Sequence, residues 1–293
     1  MLLGNAAAPR WYDLDDARLA QYVGFLTGVG ATSAEVVLHH GPLDPRGRRV
    51  HLLEPDWRLV TRKFQAAGLT CQLHVSLDPR FDLARWGTDR RGLQAEHRPI
   101  IAAAIDIGEG QASPAALVMH ATSSGLDRTR DGVAEAKAYF DWAGGLLAGA
   151  EANAILCPEL RPARDRDDRR WDRSRASMTN LLTSLAHPKI GICWDLGHDW
   201  ENRDKERAWT PAPDDSFLRL VRHVHVHDAG SDGALHHPLG VDRVPWRAQI
   251  AILESRRFAG ALTMEIRYRY ALAAGEPWTV LASCYRRAFE QLS

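Results

Sequence analysis

The sequence has few cysteines and no long apolar run, and both absences restrict its class. None of its four cysteines lies in a Cys-x-x-Cys spacing, and three of them fall within β-like apolar runs, which is typical of buried reduced thiols. No apolar run approaches the about 20 residues needed to span a bilayer. The N-terminal stretch lacks the positive charge that precedes the apolar part of a secretory signal. We therefore expect a cytoplasmic protein with no membrane partner.

Charge of one sign is not in excess either. Lys and Arg total 37, and Asp and Glu also total 37, so the formal net charge is zero. Such a chain has no overall attraction to polyanions, which argues against a nucleic-acid partner, although a local basic face stays open. The hydrophobic content of 45% and the charged content of 25% are ordinary for a soluble globular protein with a sizeable core.

What the sequence does have is a regular alternation of β-like and α-like segments. Eight segments have strand character: Leu2–Asn5, Ala34–His39, Thr70–Val75, Ala116–His120, Ala154–Glu159, Ile190–Asp195, His223–His227 and Leu262–Ile266. The helical candidates are Asp15–Gly28, Pro55–Ala67, Arg98–Gly108, Gly132–Leu147, Ser174–Leu185, Ser216–Val221, Trp246–Arg257 and Pro277–Leu292.

Eight β-then-α units predict an α/β fold with a parallel sheet, and closure into a (β/α)8 TIM barrel is the economical arrangement. The length of 293 residues suits one such barrel of roughly 250 residues with long loops. A seven-stranded or open sheet is the alternative, because the first strand is short and terminal. No linker, repeat or low-complexity tract interrupts the chain, so residues 1–293 are interpreted as one barrel domain.

In the second half of the chain, acidic residues and histidines stand at or near strand ends. They are Glu159, Asp195, His198, His225, His236 and Glu265. In a parallel barrel they converge at the C-terminal face, where active sites lie. An inward carboxylate is costly to desolvate unless it is paired or metal-bound, so the pattern predicts a divalent-metal site and an enzyme. The alternative is a buried ion-pair network with Arg161, Arg267 or Arg269.

Further candidates belong to the same face of the predicted barrel. His74 and His120 end the third and fourth strands and extend the pattern. Trp200 offers a flat ring that suits a sugar, and Arg267 suits a phosphate or carboxylate. Loop packing and structural pairing are the alternatives for these two. Long loops follow three of the predicted strands, at Gly41–Arg49, Arg161–Arg173 and Asp199–Asp215. The Arg161–Arg173 loop is rich in Arg and Asp, which is typical of a solvated surface loop.

Taken together, these motifs resemble the xylose-isomerase-like TIM-barrel superfamily of sugar phosphate isomerases and epimerases. The superfamily includes ketose 3-epimerases, inosose-processing enzymes and metal-dependent apurinic-site endonucleases. The resemblance covers nearly the whole chain. Its motifs are the Glu of PEL, the Asp-x-x-His of DLGH, the HVHD segment followed by HHPLG, and the Glu of MEI.

The epimerase branch of the superfamily implies one divalent ion, Mn, Co, Mg or Zn. By motif, its ligands fall on Glu159, Asp195, His225 and Glu265. The resemblance also implies that Glu159 and Glu265 are the catalytic acid/base pair, which move a proton through a metal-stabilised enediolate. His198 would then bind a substrate hydroxyl, and His74 and His120 are further substrate-binding candidates.

The endonuclease branch implies a cluster of zinc ions. The matching positions are His74, His120, Glu159, Asp195, His198, His225, His236 and Glu265. That branch places an Asp two residues before the histidine matching His236, and here Ala234 stands there. A third ion would therefore lack one ligand, whereas two zinc ions remain conceivable.

The sequence thus favours a divalent-metal-dependent isomerase or epimerase acting on a small sugar or polyol. A multi-zinc phosphodiesterase is the second hypothesis, and a lyase or dehydratase of the same superfamily would use much the same residues. A barrel that has lost catalysis is a third possibility, which the intact ligand motifs argue against. The identity of the sugar, its phosphorylation and a homo-oligomeric state stay open.

Overall fold

Ten strands and ten α-helices make up the computed structural model, which describes residues 1–7, 16–38, 40–42, 49–51, 54–75, 82–121, 131–206 and 209–292. The strands are β1 Leu2–Ala7, β2 Ser33–Leu38, β3 His40–Pro42, β4 Arg49–His51, β5 Thr70–Val75, β6 Ala115–Met119, β7 Ala154–Pro158, β8 Ile192–Asp195, β9 Val221–Val226 and β10 Ala261–Met264. The helices are α1 Asp16–Gly28, α2 Glu54–Ala66, α3 Arg90–Glu109, α4 Val133–Gly149, α5 Arg175–Leu185, α6 Leu196–Glu201, α7 Asp215–Leu218, α8 Trp246–Ser255, α9 Tyr268–Ala274 and α10 Pro277–Leu292.

Eight of the strands form one parallel sheet that curves into a barrel. Their order is β7-β6-β5-β2-β1-β10-β9-β8. The two end strands meet through parallel bridges from Leu156 to Ile190 and from Glu159 to Cys193. The N–H of Leu160 donates to the Cys193 carbonyl at 3.0 Å, which closes the barrel at its C-terminal end. The predicted (β/α)8 TIM barrel is confirmed, and the open sheet is wrong.

All eight predicted strands occur, and their bounds shift by only a few residues. One addition lies in the loop predicted at Gly41–Arg49, where β3 and β4 pair as a short antiparallel hairpin. The rest of that loop and His39 lie outside the described residues. The glycines that follow the first two helices, Gly30 and Gly68, both have φ of +79°, the left-handed conformation that glycine adopts most readily after a helix.

Two predicted helices have wrong bounds, for different reasons. Helix α3 starts at Arg90 and not at Arg98, because the carboxylate of Asp89 accepts the N–H of Gly92 at 3.1 Å and caps the first turn. Pro99 therefore lies inside the helix and does not begin it. The helix predicted at Ser216–Val221 is the short α7, since Val221 already belongs to β9.

The Arg- and Asp-rich loop at 161–173 is only partly solvated, contrary to the prediction. Residues 164–167 and Arg169 are exposed, but Arg170, Trp171, Asp172 and Arg173 are buried. The Trp171 ring packs edge-on against Phe140 with centroids 5.5 Å apart, which draws the segment inward. The charges it carries are then paired, as the 2.6 Å contact between an Arg170 Nη2 and an Asp168 Oδ2 shows.

The apolar core has two parts. A large cluster lies between the barrel and its helices, and a small one of Ala116, Val118, Cys157 and Cys193 lies inside the barrel. The three cysteines in strands are buried and free, as predicted, and Cys284 on α10 is buried as well. Within the described ranges, no helix is both long enough and apolar enough to cross a membrane.

One buried histidine in the helical layer has a consequence for acid stability. His97 on α3 is 3% exposed, and its Nδ1 lies 2.5 Å from the Tyr139 hydroxyl. Burial, with the charge of Arg85 adding to it, lowers the pKa of His97 to about 3. An unfolded histidine takes up its proton near pH 6.5. The neutral folded form is therefore penalised as the pH falls from about 6.5 towards 3.

We expect a His97→Gln variant to lose stability less steeply than the wild type between pH 6.5 and 4, because glutamine does not titrate. The difference in slope should approach one proton, or about 1.4 kcal/mol per pH unit. Urea unfolding at a series of pH values measures it. Parallel profiles for the two proteins would show that His97 is protonated in the folded state.

Candidate metal centre

Four predicted ligands meet at the C-terminal end of the barrel. Glu159 follows β7, Asp195 ends β8, His225 lies near the end of β9, and Glu265 follows β10. The first three are fully buried, and the side chain of Glu265 is 20% exposed. Each residue offers one ligand atom, and these four atoms lie within 4.8 Å of one another. The strand-end positions of the sequence thus become one cluster in the fold.

The spacing and the chemistry of this cluster fit a divalent ion. His225 Nδ1 lies 3.4 Å from Glu265 Oε2 and 3.8 Å from both Glu159 Oε2 and Asp195 Oδ2. Ligands bonded to one ion at about 2.0–2.2 Å are separated by such distances. In the described part of the chain, both oxygens of Glu159, His225 Nδ1 and Glu265 Oε2 are buried without a well-oriented hydrogen bond. A bound ion would satisfy all of them.

A carboxylate that the sequence interpretation missed sets the orientation of the histidine ligand. Glu35 on β2 is fully buried inside the barrel. Its Oε2 accepts a hydrogen bond from His225 Nε2 at 3.0 Å, and its Oε1 accepts one from His74 Nδ1 at 3.0 Å. With Nε2 carrying the proton, His225 turns the lone pair of Nδ1 towards the other ligands.

Glu35 is ionised despite its burial. Burial alone would raise its pKa, but His225 and His223 outweigh that effect and hold the pKa well below its usual value. His223 Nε2 lies 2.6 Å from Glu35 Oε2 and supplies a third contact. The one signal in the sequence was a charged residue in the middle of an otherwise apolar strand, SAEVVL.

Glu159 is surrounded by three of the predicted histidines. His198 Nδ1 lies 2.8 Å from Oε1, His120 Nε2 lies 2.9 Å from Oε2, and His74 Nε2 lies 3.4 Å from Oε2. Burial would raise the pKa of Glu159, but its contacts with these histidines bring it well below the usual value. The residue is therefore a carboxylate at neutral pH and can accept a proton or bind a cation.

Arg161 contacts this group, so one part of the alternative buried ion-pair network is present. Its Nη1 lies 2.6 Å from His120 Nε2 and 3.6 Å from Glu159 Oε1. Burial, reinforced by the charge of Arg161, lowers the pKa of His120 to about 3. His120 is then neutral, and its Nε2 accepts a hydrogen bond from the guanidinium. Arg269, the other side of that alternative, is exposed and donates to the Tyr270 hydroxyl at 2.8 Å.

A second group of imidazoles lies next to the four ligands. His198 and His236 were predicted there, and the structure adds His227, whose ring centroid is 4.2 Å from that of His236. His227 Nε2 donates to Asp195 Oδ1 at 3.1 Å, and its Nδ1 accepts the backbone N–H of His236 at 3.0 Å. Both ring nitrogens of His227 are therefore already engaged.

Two predicted substrate-binding residues have no side-chain contact with the cluster within the described part of the chain. Trp200 lies in α6 and not in a loop, and the guanidinium carbon of Arg203 stacks 3.8 Å from the centre of its ring. Arg267 is exposed at the start of α9, and its backbone N–H donates to the His236 carbonyl at 3.1 Å. Their proposed contacts with substrate stay predictions.

The model of the family described as "Xylose isomerase-like TIM barrel" matches residues 25–287. The chain belongs to this family. The resemblance inferred from the motifs is confirmed at that level. A comparison with curated proteins finds no match.

Solved structures of sugar epimerases share the fold at low identity. D-psicose 3-epimerase from Clostridium cellulolyticum H10, solved with D-tagatose, has a TM-score of 0.72 at 12% identity over 100% of this chain and 99% of its own. D-allulose 3-epimerase from Methylomonas sp., in complex with D-allulose, has a TM-score of 0.67 at 15% identity over 99% and 96%. The 3-keto-D-glucoside 4-epimerase of E. coli has a TM-score of 0.66 at 15% identity over 97% and 98%.

The contact between Glu35 and His225 leads to a prediction for metal affinity. Replacing Glu35 by Gln keeps the size of the side chain but removes the charge that fixes the imidazole tautomer. We expect the affinity for Mn²⁺ to fall by roughly 10–100-fold, as is usual when a carboxylate behind a histidine ligand is lost. Isothermal titration with Mn²⁺ measures it. Glu109→Gln, on the exposed end of α3, is the matched control.

Circular dichroism of both variants checks that the barrel is intact. If folded Glu35→Gln protein binds Mn²⁺ as tightly as the Glu109→Gln control, Glu35 does not position the ligand.

Proposed function

We propose that this chain is a divalent-metal-dependent isomerase or epimerase of a small sugar or polyol. The observation that carries the proposal is the cluster of Glu159, Asp195, His225 and Glu265, whose facing atoms lie close together. Among the described residues, the facing atoms of Glu159, His225 and Glu265 are also buried without a well-oriented hydrogen bond. Membership of the xylose isomerase-like family and the likeness of the fold to sugar epimerases support it.

These four residues would hold one ion, with Mn, Co, Mg or Zn all suited to carboxylate and imidazole ligands. When bound, the ion would polarise the carbonyl and hydroxyl oxygens of the sugar and so acidify the carbon–hydrogen bond between them. Glu35 keeps His225 in the tautomer that such binding needs. His227 orients the Asp195 carboxylate by donating to its Oδ1 at 3.1 Å.

Proton transfer falls to the two glutamates. Glu159 and Glu265 follow β7 and β10, which are three strands apart around the barrel, so a sugar at its centre lies between them. An epimerase has to remove a proton from one face of a carbon and return one to the other face. One glutamate accepts the proton from one face of the carbon, and the other lies on the side from which a proton is returned.

Two imidazoles beside the two glutamates suit sugar hydroxyl groups. His198 Nδ1 donates to the Leu160 carbonyl at 3.2 Å, and His236 Nδ1 donates to the Glu265 carbonyl at 3.1 Å. In both rings Nε2 is then the hydrogen-bond acceptor that remains for a substrate hydroxyl. Arg161, 17% exposed beside Glu159, adds a donor. This set supports His198 as the residue that binds a hydroxyl.

Exchange of a carbon-bound proton tests the acid/base pair directly. Mn²⁺-loaded protein is incubated in D₂O with D-allulose, D-tagatose, D-fructose and L-ribulose, and deuterium next to the carbonyl is measured by NMR. We expect incorporation into at least one ketose, and a loss of roughly 10²–10⁴-fold in Glu159→Gln and Glu265→Gln, the usual contribution of general acid–base catalysis. Glu151→Gln, exposed after α4, is the matched control.

Because both glutamates are also proposed ligands, the metal content of each variant is measured alongside. A variant that keeps its ion but loses exchange identifies a proton-transfer residue. Wild-type exchange in Glu265→Gln would refute the acid/base assignment, and no exchange with any ketose would refute the epimerase proposal for these substrates.

A multi-zinc hydrolase is the second candidate, favoured by two further groups of ligand type. His74, His120 and Glu159 form one, and His198, His227 and His236 form the other. Both groups are compromised as ion sites. His120 Nε2 already accepts from Arg161, and His227 has both nitrogens engaged. The contacts therefore favour one ion over two or three.

We expect elemental mass spectrometry of untagged protein, purified without chelator, to give about one divalent ion per chain. An Arg161→Ala variant should stay at one ion or gain a second, because it frees His120. Arg91→Ala, exposed on α3, is the control. Two or more zinc ions in the wild type would instead support the hydrolase, and cleavage of an abasic duplex at low salt would be measured next.

A further inference from the structure

A cavity of about 520 Å³ opens at the end of the barrel opposite to the metal centre. Its wall includes the first residues of β1, β9 and β10, namely Leu2, Val221 and Ala261. The metal ligands lie at the other ends of the strands, so the two places are separated by the length of the barrel. Cavities of roughly 300–1,000 Å³ are the usual size of small-molecule sites.

The charge around this cavity has one sign. Arg219, Arg222, Arg256 and Arg257 line it, and none of its described lining residues is an Asp or a Glu. Arg256 is paired with Asp215, and Arg222 Nη1 donates to the Arg219 carbonyl at 2.7 Å. Arg219 and Arg257 have no ion pair recorded in the described part of the chain. Their guanidinium groups are suited to a carboxylate, sulfonate or phosphate.

A buried polar group also faces this end. His223 on β9 lines the cavity and is fully buried, and no hydrogen bond to its Nδ1 exists among the described residues. Its Nε2 is directed to Glu35, 2.6 Å away. A buried ring nitrogen without a partner costs free energy, so a bound polar group or water at this position is expected.

Most of the remaining wall is apolar, with Gln72 and Ser113 as polar members. Its larger apolar residues are Leu218, Leu253, Phe258, Pro114 and Ile155. An inorganic anion would leave these surfaces in water, whereas a neutral apolar molecule would leave the arginines unused. The lining therefore matches a molecule that has an apolar body and one anionic group.

We propose that this cavity binds a small organic anion, separately from the metal centre. The apolar body lies against Leu218, Leu253 and Phe258, and the anionic group lies between Arg219 and Arg257. Because the cavity shares no lining residue with the four metal ligands, binding requires neither an ion nor a sugar. The inference thus does not depend on the proposed function.

The fluorescent anion 1-anilinonaphthalene-8-sulfonate is a suitable probe, since it combines an aromatic body with one sulfonate. We expect the folded protein to bind one equivalent with a micromolar Kd, unaffected by Mn²⁺ or ketose. An Arg219→Ala/Arg257→Ala variant should weaken binding at least tenfold. The charge-matched control is Arg62→Ala/Arg91→Ala, whose arginines are exposed on α2 and α3.

A second variant blocks the cavity without removing charge. Ser113 lies on its rim, and Ser113→Trp should reduce binding while both arginines remain. Uncharged N-phenyl-1-naphthylamine should bind the wild type at least tenfold more weakly than the sulfonate. Equal affinity in the arginine variant and its control, or no effect of Ser113→Trp, would overturn the proposal. Failure to bind the probe at all would do the same.

Discussion

The structure depends on how four carboxylates are neutralised inside one barrel. Glu35, Glu159 and Asp195 are fully buried, and Glu265 is nearly so. Each would cost several kcal/mol if it were left uncompensated, and their mutual repulsion adds to that cost. Histidines surround them all, but an imidazole can supply a positive charge only while it is protonated. A protonated ring cannot bind a metal ion, so the same side chains cannot serve both purposes.

In the barrel, these two purposes are served by residues at different depths along the strands. Glu35 lies deeper along the strands than the proposed metal ligands. It accepts hydrogen bonds from His74 and His225, and His223 Nε2 lies 2.6 Å from its Oε2. The charge of Glu35 thereby keeps the proton of His225 on Nε2. The other ring nitrogen, Nδ1, lies at the level of Glu159, Asp195 and Glu265. Glu35 contacts none of the four candidate ligand atoms, yet it determines whether Nδ1 of His225 is free to bind an ion.

The same depth explains what could be predicted from the sequence. Glu159, Asp195, His225 and Glu265 were predictable because a strand end in a parallel barrel has one destination, whatever the register. Glu35 and His223 lie within strands, so their meeting depends on the stagger between β2 and β9, which no local pattern encodes. His227 was missed for a similar reason, since its role depends on the backbone of His236, a residue with φ of +66°. Trp200 was assigned to a loop because α6 is a single short helix directly after β8.

The number of ions follows from the charges already present around Glu159. Burial alone would lower the pKa of His74, but Glu159 and Glu35 outweigh that effect and raise the pKa to about 9. This ring is therefore a cation at neutral pH. Arg161 supplies a second positive charge, and it contacts the neutral His120 at the nitrogen that a zinc ion would need. A dication added there would meet two positive charges within a few ångströms. On the other side of Glu159, no arginine or lysine of the described residues pairs with Asp195 or Glu265. Among the described residues, the charges around Glu159 therefore favour the cluster of Glu159, Asp195, His225 and Glu265 as the candidate ion site.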